Sequence, residues 1–311
     1  MGAAAVATSY ITPAMLTSAP AGIAWTVIPT LTANSFEQTA QLAQACWQAT
    51  SYVDGYCRQP LRATINTETA TGPGQPRVTV SRDTGIGTLV TRRWPVTDIA
   101  AVQVSQSRYF PPEWTLVPAD QYRIRHPVIT SAAGGPVTVP SGGNVIDVAP
   151  RWITWDYGRS GLNVLLSYAS GWPHTSLTAD VATAAATIAV DDVTGWAGFT
   201  GFAYDGTFTE PVTVTSVAAT TPVTLEGIGG TVQAGPGTLT LSAPLTSGHD
   251  AGTVISALPA TVIHAAYLAA TVEALEGIDA IAVQSLNGQS VSLGALAEQA
   301  ELLLDDFRRW A

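Results

Sequence analysis

Leu166-Ser167-Tyr168-Ala169-Ser170-Gly171-Trp172-Pro173 is the stretch at which the chain changes character. It completes Asn163-Val164-Leu165-Leu166-Ser167-Tyr168, the most apolar strand candidate of the first half. Gly171 and Pro173 break that strand, since glycine weakens a strand interior and proline cannot donate to the ladder. Beyond the break, Thr178–Leu258 holds seven acids and no lysine or arginine, and Pro259 then opens a helical pattern. The break near Pro173 therefore divides a β-rich middle into two unlike parts.

Upstream, the first part alternates with period two. Arg77–Val80, Thr88–Val90, Ile99–Val104, Gln121–Ile124 and Asn144–Val148 are strand candidates, separated by Gly/Pro clusters such as Thr71-Gly72-Pro73-Gly74 and Ala133-Gly134-Gly135-Pro136. Before them the period is helical. Thr12-Pro13 starts a short helix that Pro20 and Gly22 end. Ser35-Phe36-Glu37-Gln38 reads as a capping box. Leu42, Cys46, Ala49, Val53 and Tyr56 then form one apolar stripe up to Pro60. Cys46 and Cys57 are eleven residues apart on this helix, about 16 Å, too far for a disulfide. They read as small core residues.

Downstream, Ala186–Val190, Pro211–Val214 and Thr238–Leu241 are short strands with turn signals between them. A structureless loop of 81 residues is disfavoured in a compact chain, so Thr178–Leu258 is expected to be a small sandwich or barrel. Pro259 opens a helix through Val262, Ala266, Ala269 and Val272, closed at Gly277. A hairpin around Asn287-Gly288 follows. A last helix from Leu293 to Trp310 places Leu293, Leu296, Ala300, Leu303, Phe307 and Trp310 on one face, with Asp305 and Arg309 spaced to pair. The expected class is α+β: a helical frame with a β-sheet domain, residues 1–177 and 259–311, carrying an inserted all-β module, 178–258.

Hydrophobic residues make up 46% of the 311-residue chain and charged residues 12%, which excludes disorder and leaves uncharged surface suited to neighbouring subunits. No apolar run is long enough for a membrane-spanning helix, and Met1–Val6 lacks the basic and long apolar regions of a signal peptide. Met1-Gly2 lies in an Ala-rich context unlike a myristoylation signal, so the expected setting is a cytoplasm. Every basic residue is arginine. Residues 1–159 hold eleven Arg against nine acids, while residues 160–311 hold two Arg against fourteen acids. An acidic chain of this kind is not expected to grip nucleic-acid phosphates.

Chemistry-bearing motifs are scarce. His126, His174, His249 and His264 have no metal-ligand spacing among them, and no HExxH, CxxC, P-loop or GxSxG pattern occurs. His174 after Trp-Pro and His249 after Ser-Gly are expected at turn surfaces, and His264 on its helix as a packed or interface residue. Asp191-Asp192-Val193-Thr194-Gly195 lacks the alternating ligands of a calcium loop and reads as a capped turn. Asp205-Gly206 and Glu210 could suggest paired glycosidase carboxylates, but a hairpin with solvent-facing acids is the better reading. Trp94, Trp152, Trp155 and Trp172 read as core or interface fillers. No catalytic residue, cofactor or metal is assigned.

In order along the chain, four segments resemble the head-to-tail adaptor (connector) proteins of long-tailed bacteriophages. The helix ending Ser51-Tyr52-Val53-Asp54-Gly55-Tyr56-Cys57-Arg58 resembles that family's opening helix, and Arg93-Trp94-Pro95-Val96-Thr97-Asp98-Ile99-Ala100-Ala101-Val102 its Pro-led strand. Tyr168-Ala169-Ser170-Gly171-Trp172-Pro173 is similar to its Tyr-x-x-Gly-aromatic-Pro turn. Gln284-Ser285-Leu286-Asn287-Gly288-Gln289-Ser290-Val291-Ser292, with helices on either side closing on Phe307-Arg308-Arg309, resembles its C-terminal end. Thr178–Leu258 departs from the family pattern as an insertion.

The resemblance implies a structural virion protein: a ring of twelve copies beneath the portal, continuous with the neck or tail-completion protein, whose lumen passes double-stranded DNA without specific binding. The acidic second half suits a wall that repels phosphate. Phe307, Arg308, Arg309 and Trp310 are the expected contacts to the portal or a ring neighbour. The alternative is a binding or decoration protein whose β module recognises a glycan or another virion protein. An enzyme is the third reading, disfavoured by the missing constellations.

Overall fold

A computed structural model describes residues 9–18, 35–71, 78–81, 83–105, 113–125, 128–130, 136–138, 144–150, 152–153, 163–205, 208–225, 230–275, 283–284, 290–291 and 293–308. The architecture is α+β, with helices at both ends of the chain and sheets between. The chain starts with α1 (Pro13–Ser18) and α2 (Ser35–Cys57). In α1 the Thr12 hydroxyl accepts from the Met15 N–H at 3.2 Å, the cap expected from Thr-Pro. The side chains of the Ser35 capping box lie outside the described residues. Leu42, Cys46, Ala49, Val53 and Cys57 are buried along α2, and both thiols are free.

The frame's strands follow: β1 (Thr64–Thr71), β2 (Val78–Val80), β3 (Gly87–Val90), β4 (Val96–Ser105), β5 (Thr115–Leu116), β6 (Tyr122–Ile124), β7 (Val128–Thr130), β8 (Pro136–Thr138), β9 (Val145–Val148) and β10 (Asn163–Ser170). They form two four-stranded antiparallel sheets, β1-β10-β4-β5 and β2-β3-β9-β6, and a β7–β8 hairpin. The two sheets pack face to face through Val96, Val102, Val104, Val164, Leu166 and Tyr168 on one side and Val78, Leu89, Ile146 and Val148 on the other. Strand β1 was not foreseen. Its sequence, TINTETAT, has no apolar face to betray it, yet it pairs along its whole length with β10, from Thr64↔Ser170 to Thr71↔Asn163.

The Gly171-Trp172 turn then ties the frame together. The Trp172 N–H donates to the Leu61 carbonyl at 2.7 Å, the Ala63 N–H to the Trp172 carbonyl at 2.8 Å, and the Gly171 N–H to the Pro95 carbonyl at 2.8 Å. Gly171 has φ +101°, and a Cβ there would lie 2.3 Å from the Arg62 carbonyl oxygen, so only glycine fits.

The β module comprises β11 (His174–Ser176), β12 (Thr187–Val190), β13 (Thr200–Asp205), β14 (Phe208–Ala219), β15 (Val223–Leu225), β16 (Gly230–Val232), β17 (Gly237–Leu241) and β18 (Val254–Ser256). Its sheet begins at His174, ahead of the expected Thr178. Six strands run in the order β11-β18-β13-β14-β17-β12, with β15–β16 a separate hairpin. The twelve-residue β14 pairs with β13 through its first half and with β17 through its second, with a register shift between Val214 and Ser216 that turns the corner. At the far edge Leu177 bridges to Val190, and the Thr178 N–H donates to the Ala189 carbonyl at 3.1 Å, so the last strand meets the end of the first. The sheet thus curls into a small barrel around Trp196, Ile188, Leu239 and Ile255.

The incoming and outgoing strands of this module, β11 and β18, pair antiparallel from His174↔Ser256 to Ser176↔Val254. From β18 the chain enters α3 (Ala260–Leu275), a short β19 (Val283–Gln284) and β20 (Ser290–Val291) pair, and α4 (Leu293–Leu304). The Asn287-Gly288 turn and Gly277 lie outside the described residues. Helix α3 sits between α2 and α4 and buries Val262, Ile263, Ala265, Ala266, Ala269 and Ala270, whose small side chains let its neighbours approach. The last helix is shorter than expected. It ends at Leu304, and a 3₁₀ turn, Asp305–Phe307, swings the chain sideways.

Candidate assembly surface

The terminal helix meets α2 through a matched ladder. Tyr52 and Tyr56 are four residues apart on α2, and Glu301 and Asp305 are four apart at the end of α4, so two rungs align. The Tyr52 hydroxyl donates to Glu301 Oε1 at 2.9 Å, and the Tyr56 hydroxyl to Asp305 Oδ1 at 2.7 Å. The two rings stack, centroids 6.5 Å apart, and the Arg308 guanidinium lies 5.3 Å over the Tyr56 ring. Partial burial and the Glu301 carboxylate push the Tyr52 hydroxyl up to about 12. The bond to Asp305, then burial, raises that of Tyr56. Both remain donors at neutral pH. The equal spacing on two helices was the signal that could have shown this ladder in the sequence.

Of the four expected contact residues, Phe307 packs within the chain itself. Its ring stacks on Trp94, centroids 6.4 Å apart and 11° from parallel, and meets Trp172 edge-on at 5.6 Å. Trp94 and Trp172 are themselves edge-to-face at 5.6 Å. Phe307 is therefore a plug in the chain's own core, because the 3₁₀ turn redirects it inward. Arg308 lies half-buried beside Tyr56. Arg309 and Trp310 fall outside the described residues, as does the expected Asp305–Arg309 pair. What α4 presents outward instead is Glu298 and Leu302, the latter 74% exposed, while the exposed Glu301 and Asp305 line the seam with α2.

Two histidine expectations, those for His174 and His249, need revision. His174 is buried, not at a turn surface. Its Nε2 faces the Ser9 carbonyl at 3.0 Å and its Nδ1 the Ser256 hydroxyl at 2.9 Å. A carbonyl only accepts, so Nε2 carries the proton and Nδ1 accepts from Ser256. Burial lowers this imidazole to about 4, outweighing the Ser9 bond. His249 is also buried, with Nε2 3.1 Å from Glu210 Oε2 and Nδ1 3.4 Å from Asp205 Oδ2. His264 is exposed on α3.

Glu210 does not face solvent either. It is 4% exposed on β14 and accepts from the Thr246 and Ser247 N–H groups and from His249. Burial would raise its carboxyl, but these donors outweigh it and hold the group below the ordinary carboxylate range. The cluster pins the 245–249 loop to the barrel. The Asp205↔Phe208 pairing bears out the hairpin itself.

The capped turn at Asp192 is present as expected. Its Oδ1 accepts from the Thr194 N–H at 2.9 Å, from the Thr194 hydroxyl and from the Gly235 N–H at 3.0 Å. Burial pushes the Cys46 and Cys57 thiols up to about 12, which makes them inert packing groups. Among the described residues no three His, Cys, Asp or Glu side chains converge to hold a metal, and no helix is long and apolar enough to cross a membrane. Set beside known proteins, the chain matches no protein-family model and no curated sequence.

Proposed function

We propose that this chain is a head-to-tail adaptor of a long-tailed bacteriophage, a structural subunit that forms a ring below the portal and joins capsid to tail. Twelve copies would surround a channel through which double-stranded DNA passes without being held. The portal lies on one side and a neck or tail-completion protein on the other. The observation that carries this reading is how the two chain ends make one body. Helix α2 from the N-terminal part packs against α3 and α4 from the C-terminal part, and the Gly171-Trp172 turn is stapled beneath them by Trp94 and Phe307. These are the segments, in the same order, that carry the family resemblance. The formal net charge of −10 suits a molecule that must not bind phosphate.

A second reading has its own support. The barrel hangs from a paired strand stalk and exposes Phe202, 46% accessible, with its ring 6.3 Å from that of Tyr204. That suits a module recognising a glycan or another virion protein. Immunogold labelling of the virion that carries this chain distinguishes the two. Label at the head–tail junction is the expected result. Label over the capsid surface or at the tail tip would overturn the adaptor reading in favour of decoration.

A further inference from the structure

The charges of this chain are unevenly spread: α4 carries acids and no arginine, while exposed arginines gather on one sheet of the frame around a shared carboxylate. Glu298, Glu301, Leu302 and Asp305 stand at i, i+3, i+4 and i+7 on α4 and its 3₁₀ extension, so they form one exposed acidic stripe beside the α2 seam, in which Glu301 and Asp305 also accept the Tyr52 and Tyr56 hydroxyls. No basic residue occurs within α4. Leu302, 74% exposed, is an apolar centre with acids around it.

The opposite kind lies on the outer face of the β2-β3-β9-β6 sheet. Thr79, Thr88, Asp147 and Arg123 are in register across its four strands, facing away from the core formed by Val78, Leu89, Ile146 and Ile124. Arg125 grips Asp147 with two guanidinium nitrogens, and Arg123 Nε stands 3.7 Å from the same carboxylate. Two cations thus share one anion, with the Arg123 side chain 77% and that of Arg125 53% exposed. Asp120, bonded by the Gln121 amide, lines with Arg123 and Asp147 a cleft of about 280 Å³. Along the sequence the same asymmetry holds: residues 77–159 carry nine arginines and six acids, while residues 160–306 carry fourteen acids and no basic residue.

We propose that the α4 stripe docks on the Arg123/Arg125 sheet face of a second copy, head to tail. The two faces lie over separate hydrophobic clusters of the chain. Docking either face on its own counterpart would set acid against acid or arginine against arginine. A heterologous contact pairs the unlike faces, repeats from copy to copy, and closes a ring where the rotation per copy allows. The exposed leucine inside a charged rim is the usual make-up of such a contact. The inference deepens the adaptor reading, on which it rests for the premise that copies associate.

Charge reversal tests it on the full-length chain, with mass photometry as the readout. The stripe variant Glu298→Arg/Leu302→Arg and the sheet variant Arg123→Glu change exposed side chains only, and both should keep the wild-type melting temperature. Each alone is expected to weaken self-association by about tenfold or more. Mixing the two variants should restore assembly, because each then meets a partner with the complementary face, and the combined variant should assemble by itself. Wild-type assembly should weaken as salt rises. Unchanged assembly by either variant overturns the inference while leaving the ring intact. Weakening without recovery on mixing overturns the pairing of these two faces. A wild type that stays monomeric at every concentration overturns both the inference and the ring.

Discussion

His174 shows how a single residue can be misjudged from its neighbours and then become informative. Gly-Trp-Pro-His looks like an exposed turn, since glycine and proline both end a strand. The residue that decides the matter is Ser9, 165 positions away, whose carbonyl reaches the ring. Local sequence cannot show such a partner. The buried ring is neutral in the folded chain and titrates at about 4, below the usual 6.5. Its contribution is therefore fully present above pH 6.5 and falls as pH drops toward 4, because the unfolded chain takes up the proton first. The loss is on the order of 3 kcal/mol. Urea midpoints at pH 7, 5.5 and 4 should fall through this window in the wild type, and His174→Gln should flatten the slope there. Glu210 acts at lower pH, since its carboxyl is held below the normal range and its contribution is lost only as pH falls through that depressed value.

At the scale of the element, α4 was legible as a helix but not in its extent or its aspect. Of the expected apolar face, Ala300 and Leu303 meet the core, Leu293 and Leu296 are only half-buried, and the buried Leu304 lay off that face. Extending the same face to Phe307 gave a right contact for a wrong reason, since Phe307 gets there through the 3₁₀ turn. Leu302 and Leu304 separate the inner from the outer side. Leu304 is fully buried and Leu302 is 74% exposed. Leu304→Ala should cost about 2–5 kcal/mol of stability, whereas Leu302→Ala should stay within about 0.5 kcal/mol. Thermal melts of the two variants check this, and equal losses would mean the helix is rotated. Strand β1 marks the other limit of legibility: in TINTETAT the two apolar residues, Ile65 and Ala70, stand five apart and set no period of two, and its identity comes from the eight pairs it makes with β10.

For the molecule as a whole, the sequence marked two composition blocks, and the structure shows how they are joined. Strand β18 belongs to the barrel, yet its Val254 lies in the helical core with Leu258 and Trp172, while Ile255 points the other way into the barrel core. One three-residue strand therefore serves two cores at once. Frame and barrel should lose their structure together, and calorimetry should give a single cooperative transition rather than two. Two resolved peaks would show that the strand does not couple them.

The pairing of β11 with β18 has one further consequence. As seen from the frame, the eighty or so residues between His174 and Ser256 begin and finish side by side, like the two legs of an ordinary hairpin. The entropy of closing a loop grows only with the logarithm of its length. The length of polypeptide threaded between those two legs therefore costs the frame little, provided the legs themselves and Val254 stay in place. This position can gain, lose or exchange a whole folded cargo while the helices at either end keep their places, and it is the natural point at which such a chain diversifies.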